Sequence, residues 1–164
     1  MGFKKVNVRE SLRSSFKDGI FAAFMAGVTD YYAAPAALFL GATVQQVGLV
    51  IALPNLLSSL SQFFSVKVIY WVGGRVKLLV RLVFSQASLI VCIAMLSLLD
   101  IPHRVELLLM FLILAAVCGG LAGPAWGSLM SDYVPASKRG RYFGWRNRTV
   151  GAVTVGSIIT SDCC

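Results

Sequence analysis

The chain has 164 residues, of which 57% are hydrophobic and only 13% charged, with fifteen Lys and Arg against seven Asp and Glu, a formal net charge of +8. A soluble domain carries about 25% charged residues to cover its water-facing surface, and long unbroken apolar runs cannot be hidden in a core this small. Composition therefore excludes an ordinary soluble domain and points to an all-α, polytopic transmembrane helical bundle.

A helix needs about twenty apolar residues to cross the hydrocarbon, and such stretches predict the elements in chain order. Residues 1–17 read as a basic cytoplasmic tail, with Lys4, Lys5, Arg9, Arg13 and Lys17, and residues 18–164 as the transmembrane domain. The first helix is expected over 19–40. That run is too long for the core of a signal peptide and carries Asp30, so a retained helix is the better reading. The second is expected over 47–70, with Lys67 able to snorkel to the interface. The third follows over 82–99, the fourth over 107–130, and an incomplete fifth over 149–160.

The connections orient the bundle. The tail and the second and fourth connections hold fourteen of the fifteen basic residues; the first connection holds none and the third only Arg104, beside Asp100 and Glu106. Positive-inside places the basic side, and with it the amino terminus, in the cytoplasm, giving a multi-pass inner-membrane protein. Tyr70, Trp71, Tyr133 and Trp145 fall near the expected boundaries, where amphipathic rings prefer to sit. Because topology accounts for the basic excess, nucleic acid is not an expected partner; the lipid bilayer is.

Asp30, in the middle of the first helix, is the sharpest single residue. A carboxylate there costs about 2.5–3.5 kcal/mol on insertion scales, and no Lys or Arg stands at matching depth in the other expected helices. It should face a watery cavity or a hydrogen-bonding neighbour. The first setting suits a group that takes up and releases a proton; in the second it is a structural carboxyl. On the second helix, Asn55, Ser58, Ser59 and Gln62 recur at one helical face beside Pro54. That stripe either lines a substrate path or joins helices by hydrogen bonds. On the fourth helix, Ala115, Gly119, Gly123 and Gly127 stand at four-residue spacing, which lets helix backbones approach closely; Pro124 adds a local bend.

Neither cofactor nor metal is expected. His103 has no Cys, His or carboxylate at metal-ligand spacing. Cys92 and Cys118 lie in apolar runs as packing residues, and the Cys163–Cys164 pair has no derivable role. Nucleophile elbows, phosphate loops and paired carboxylates are all missing from the sequence, so no catalytic residue and no enzyme activity are expected.

The stretch from Gly119 to Gly144 resembles the fourth helix and following loop of major facilitator superfamily transporters, with a Pro, then Asp-x-x-Pro, Arg-Gly-Arg and a Gly: Asp132, Pro135, Arg139, Gly140, Arg141 and Gly144 occupy those positions. Asp30 through Pro54 is similar to the first two helices of such proteins. The loop between the second and third helices keeps Gly74, Arg75 and Lys77 of the family's pattern, but Lys67 and Trp71 stand where it has Gly and Asp. The resemblance implies secondary transport of a small solute, with Asp30 and the Asn55–Gln62 stripe on the path. It implies a cytoplasmic gate at Gly74, Arg75, Lys77, Asp132, Arg139 and Arg141. Family members have about twelve helices in two halves built from inverted repeats. The chain accordingly reads as an amino-terminal fragment that lacks the carboxy-terminal half as its partner. The alternative is a self-contained four-helix membrane protein acting as an oligomeric exporter or interaction protein.

Overall fold

A computed structural model describes residues 8–98, 102–134 and 136–161. The tail before residue 8, Asp100, Pro135 and the Cys163–Cys164 pair lie outside them. Five helices follow one another: α1 (Val8–Phe39), α2 (Val44–Val72), α3 (Arg75–Leu98), α4 (Arg104–Tyr133) and α5 (Ala136–Ser161). Among the described residues there is no strand.

The helices are longer than the apolar runs that announce them. At about 1.5 Å per residue, α2 with its 29 residues extends roughly 44 Å, well beyond a hydrocarbon core of about 30 Å. The surplus takes up positions expected in loops. α1 begins inside the expected basic tail, α3 begins at Arg75 rather than near residue 82, and α5 runs through the expected loop from Ala136. Lys and Arg have good helix propensity, so the basic stretches continue the helices instead of ending them. α2, α3 and α4 are long and apolar enough to cross a membrane. In α1 the apolar run is diluted by Asp30, Tyr31, Tyr32 and Pro35, and in α5 by the arginines of its first half.

Local chemistry sets the boundaries of α2. Thr43 is its N-cap: the Gln46 backbone N–H donates to Thr43 Oγ1 and the Thr43 backbone N–H donates to Gln46 Oε1 at 2.9 Å, a reciprocal capping box. At the other end Gly73 takes the left-handed conformation (φ 78°) and donates its N–H to the Ile69 carbonyl at 3.1 Å. Only glycine adopts that backbone at no steric cost, so it ends the helix there.

The chain forms two compact units, residues 33–129 and residues 1–32 with 130–164. In the first, the core gathers Ala37, Val50, Leu96, Leu108 and Leu112, with Val47, Ile93 and Leu107 packed around them. These residues come from the end of α1, the start of α2, the end of α3 and the start of α4, so this core closes the end remote from Arg75. In a bilayer such packing excludes lipid rather than water, and its stabilisation is van der Waals contact, not hydrophobic transfer. In the second unit, Arg146 of α5 lies over Gly19 of α1, its Nη2 2.6 Å from where a Cβ would stand.

Many large apolar side chains face outward, among them Phe21 (74% exposed), Phe39 (80%), Phe63 (83%) and Phe84 (71%). A soluble monomer does not tolerate a surface of this kind. Against lipid it is the expected one.

Candidate functional site

Helix α2 presents three different faces. The first joins it to α4. Ser61 and Ser65 are buried; Ser65 Oγ donates to the Leu121 carbonyl at 2.9 Å, and Ser61 Oγ to its own Ser58 carbonyl at 2.7 Å and the Val117 carbonyl at 3.4 Å. Opposite them lies Gly120, where an added Cβ would stand 2.8 Å from Ser58 Oγ and closer still to the Ser58 carbonyl. The α4 backbone here packs directly on the Ser58 carbonyl and the Ser58 and Ser61 hydroxyls, leaving no room for a side chain at residue 120.

This contact redistributes the roles expected from the sequence. Small residues do bring α4 close to a neighbour, but the glycine that does so is Gly120. Gly123 and Gly127 face open space, and Gly119 sits at an ordinary distance from Gln86 Nε2 of α3, 3.6 Å from an added Cβ. The physical reason is rotation. Val117, Gly120 and Leu121 recur at helical spacing toward α2, and the strict four-residue row runs along another side. Likewise the helix-joining serines are Ser61 and Ser65, with Ser58 at the edge of the contact. The recurrence of Ser58, Ser61 and Ser65 at i, i+3 and i+7 is the signal that locates them.

The second face carries Asn55, Ser59 and Gln62, all exposed. The Asn55 side-chain amide donates to the Ile51 carbonyl at 2.8 Å, and Ser59 Oγ donates to the Asn55 carbonyl at 2.9 Å. Both groups are held against their own helix, which leaves the Asn55 amide oxygen and the Gln62 side chain pointing outward. Pro54, one residue before, has no N–H to give the Val50 carbonyl and loosens the helix at this level. The third face is apolar and exposed, through Leu56 (56%), Leu60 (47%) and Phe63 (83%).

In the other unit, Asp30 is exposed on α1, beside the edge-to-face pair of Tyr31 and Tyr32 (ring centroids 5.4 Å apart).

The residues expected at a gate stand on helix ends rather than in loops. Gly74 joins α2 to α3, and Arg75, the first residue of α3, reaches the Ser128 carbonyl of α4 at 3.4 Å. Lys77 is exposed one turn into α3. Asp132 occupies the last turn of α4, and Arg139 and Arg141 the first turns of α5. Arg139 donates through Nε to the Val134 carbonyl at 3.0 Å and through Nη2 to the Ser131 carbonyl at 2.6 Å. The last carbonyls of a helix lack intrahelical donors, so one guanidinium caps the end of α4. Arg139→Gln is expected to cost about 0.5–1 kcal/mol, the worth of an exposed cation at a helix carboxyl end. Hydrogen exchange would then speed up at the Val134 amide; unchanged exchange there would contradict the capping role.

A polar cleft of about 400 Å³ opens beside the start of α4, lined by Leu40, Gln46, His103, Arg104 and Glu106 among others. His103 stands in the left-handed region (φ 66°) at the turn into α4. No group of His, Cys, Asp and Glu able to hold a metal occurs among the described residues.

With this geometry in place, comparison with known proteins is informative at the level of family. No curated protein and no solved structure matches the chain. The family profile described as Major Facilitator Superfamily matches residues 4–160, nearly the whole chain. The helices, the apolar exterior and this match agree, and the chain belongs to the Major Facilitator Superfamily of multi-pass membrane transporters.

Proposed function

We propose that the chain forms the first helices of the amino-terminal half of a secondary transporter, and that the polar face of α2 lines the aqueous path of a small solute. The observation that carries this reading is the separation of faces on α2. Its packing is discharged by Ser61, Ser65 and Gly120, so Asn55, Ser59 and Gln62 are not consumed in holding helices together. Exposed amides on an otherwise apolar helix are costly against lipid and favourable against water. Asp30 contributes the one carboxylate between Gly19 and Leu40 and serves as the coupling group, taking up a proton on one side and releasing it on the other.

The amino terminus and the Arg75 and Arg139 ends face the cytoplasm, in keeping with the basic residues gathered there. The residues assigned to gating are Gly74, Arg75 and Lys77 in one unit and Asp132, Arg139 and Arg141 in the other; within its own unit Arg75 is bonded to the Ser128 carbonyl and Arg139 to the Ser131 carbonyl. Trp71 in place of the family's Asp removes a carboxylate from that gate. The row of Gly119, Gly123 and Gly127 is left for a further helix to pack on. The complementary half of the transporter supplies the other wall of the path. Sequencing through the locus tests this last point: a continuing frame encoding about seven further helices agrees with a two-half transporter, and its absence contradicts it. The self-contained four-helix reading has no observation of its own in its favour.

A further inference from the structure

We propose that the apolar face of α2 holds one anionic phospholipid at its Trp71 end, with the phosphate between Lys67 and Trp71 and an acyl chain along Phe63, Leu60 and Leu56. The proposal is independent of the solute path, which lies on another face of the same helix.

Three observations support it. First, the residues line up. Leu56, Leu60, Phe63, Lys67 and Trp71 follow at steps of three or four residues and so share one face; every one of them is exposed, Phe63 to 83% and Trp71 to 91%. From Leu56 to Trp71 the helix rises roughly 22 Å, the reach of an extended acyl chain. Second, the Trp71 end is amphipathic. Lys67, Val68, Tyr70 and Trp71 line a shallow, open and largely apolar depression there, with Tyr70 82% and Trp71 91% exposed. The indole N–H and the phenol hydroxyl can donate hydrogen bonds, the ammonium supplies charge, and the lysine stem supplies apolar wall.

Third, the charge around it has one sign. From Tyr31 to Leu99 the sequence contains Lys67, Arg75, Lys77 and Arg81 and not one acid; Lys77 and Arg81 are exposed on α3 just after the Gly73 turn. A cation one helical turn inside the interface, with no carboxylate in this whole stretch, selects a lipid with net negative charge over a zwitterionic one. Lys67 dominates because it stands among the apolar and aromatic side chains of this face, with Phe63 and Trp71 one turn to either side, whereas Lys77 and Arg81 lie on α3 beyond the Gly73 turn.

The test uses Trp71 as its own reporter, in the full chain carrying Trp126→Phe and Trp145→Phe. The protein is reconstituted in phosphatidylcholine vesicles that contain, at equal mole fraction, either brominated phosphatidylglycerol or brominated phosphatidylcholine. One lysine near an anionic lipid is worth about a fivefold local enrichment, so phosphatidylglycerol is expected to quench Trp71 several-fold more strongly. Lys67→Gln should abolish the difference, Lys67→Arg should retain it, and Lys77→Gln should leave most of it. Equal quenching by the two lipids, or equal effects of Lys67→Gln and Lys77→Gln, would overturn the site in favour of a diffuse surface charge. Absence of quenching by either lipid would also overturn it, because the face would then be covered by protein, a second copy or a further helix. Native mass spectrometry of the unmodified chain gives a reading free of substitutions. One retained phosphatidylglycerol from an equimolar mixture is expected, and a bare chain contradicts the proposal.

Discussion

Gly120→Val lowers the stability of the chain in mild detergent by about 3 kcal/mol, the upper end of what overpacking a close contact costs. The reason is that the added carbon meets backbone. A Cβ at residue 120 falls against the Ser58 carbonyl and Ser61 Oγ as well as Ser58 Oγ, and a carbonyl fixed in a helix cannot rotate away as a side chain can. α2 and α4 must separate, and the Ser65 Oγ bond to the Leu121 carbonyl at 2.9 Å goes with the contact. That bond alone is worth only about 0.6 kcal/mol in a membrane protein, so the substitution reads chiefly the loss of close packing. Gly123→Ala serves as its partner measurement: open space surrounds that position, and the gain in helix propensity makes it neutral or slightly stabilising. Thermal unfolding followed by circular dichroism distinguishes the two. A Gly120→Val protein as stable as the parent would contradict the α2–α4 contact.

On the proposed coupling role, Asp30→Asn introduced into the complete transporter is expected to abolish net uptake driven by a proton gradient. Asparagine keeps the size and hydrogen-bonding of the protonated carboxyl but cannot release a proton. Net uptake that depends on releasing it is therefore lost, whereas exchange of solute for solute, which needs no net proton movement, continues. The pair of assays separates coupling from binding: loss of both marks Asp30 as a solute ligand or a structural carboxyl, and retention of gradient-driven uptake removes it from the mechanism.

The membrane class was legible in the sequence because the bilayer imposes a length that apolar runs must meet. Element ends were less legible. Arg75, Lys138 and Arg139 read as loop residues by charge, yet they are good helix formers, and a helix in the headgroup region has no reason to stop at the edge of the hydrocarbon. The packing of α2 was not legible in detail. The second helix was expected to carry a polar stripe, and it carries two, separated by a rotation that no single spacing reveals. Asn55, Ser59 and Gln62 face outward, whereas Ser61 and Ser65 bond across to α4. Gly119 and Gly120 are neighbours in sequence, and only the position of α2 decides which of them admits a second backbone. Arg139 was expected at a gate, with no partner named for it. Its guanidinium donates to the carbonyls of Ser131 and Val134, partners that every residue carries and that a search by side-chain type cannot see.

One face of α2 is proposed to meet water and one to meet lipid, and one meets α4. Single cysteines placed along that helix test this most directly, in a chain whose Cys92, Cys118, Cys163 and Cys164 have been replaced by Ser. A small membrane-impermeant maleimide reacts only with a thiol that water reaches and ionises. Labelling is predicted at positions 55, 59 and 62, and none at 56, 60 and 63 or at 61 and 65. Labelling spread evenly around the helix, or confined to the Leu56–Phe63 face, would contradict the account.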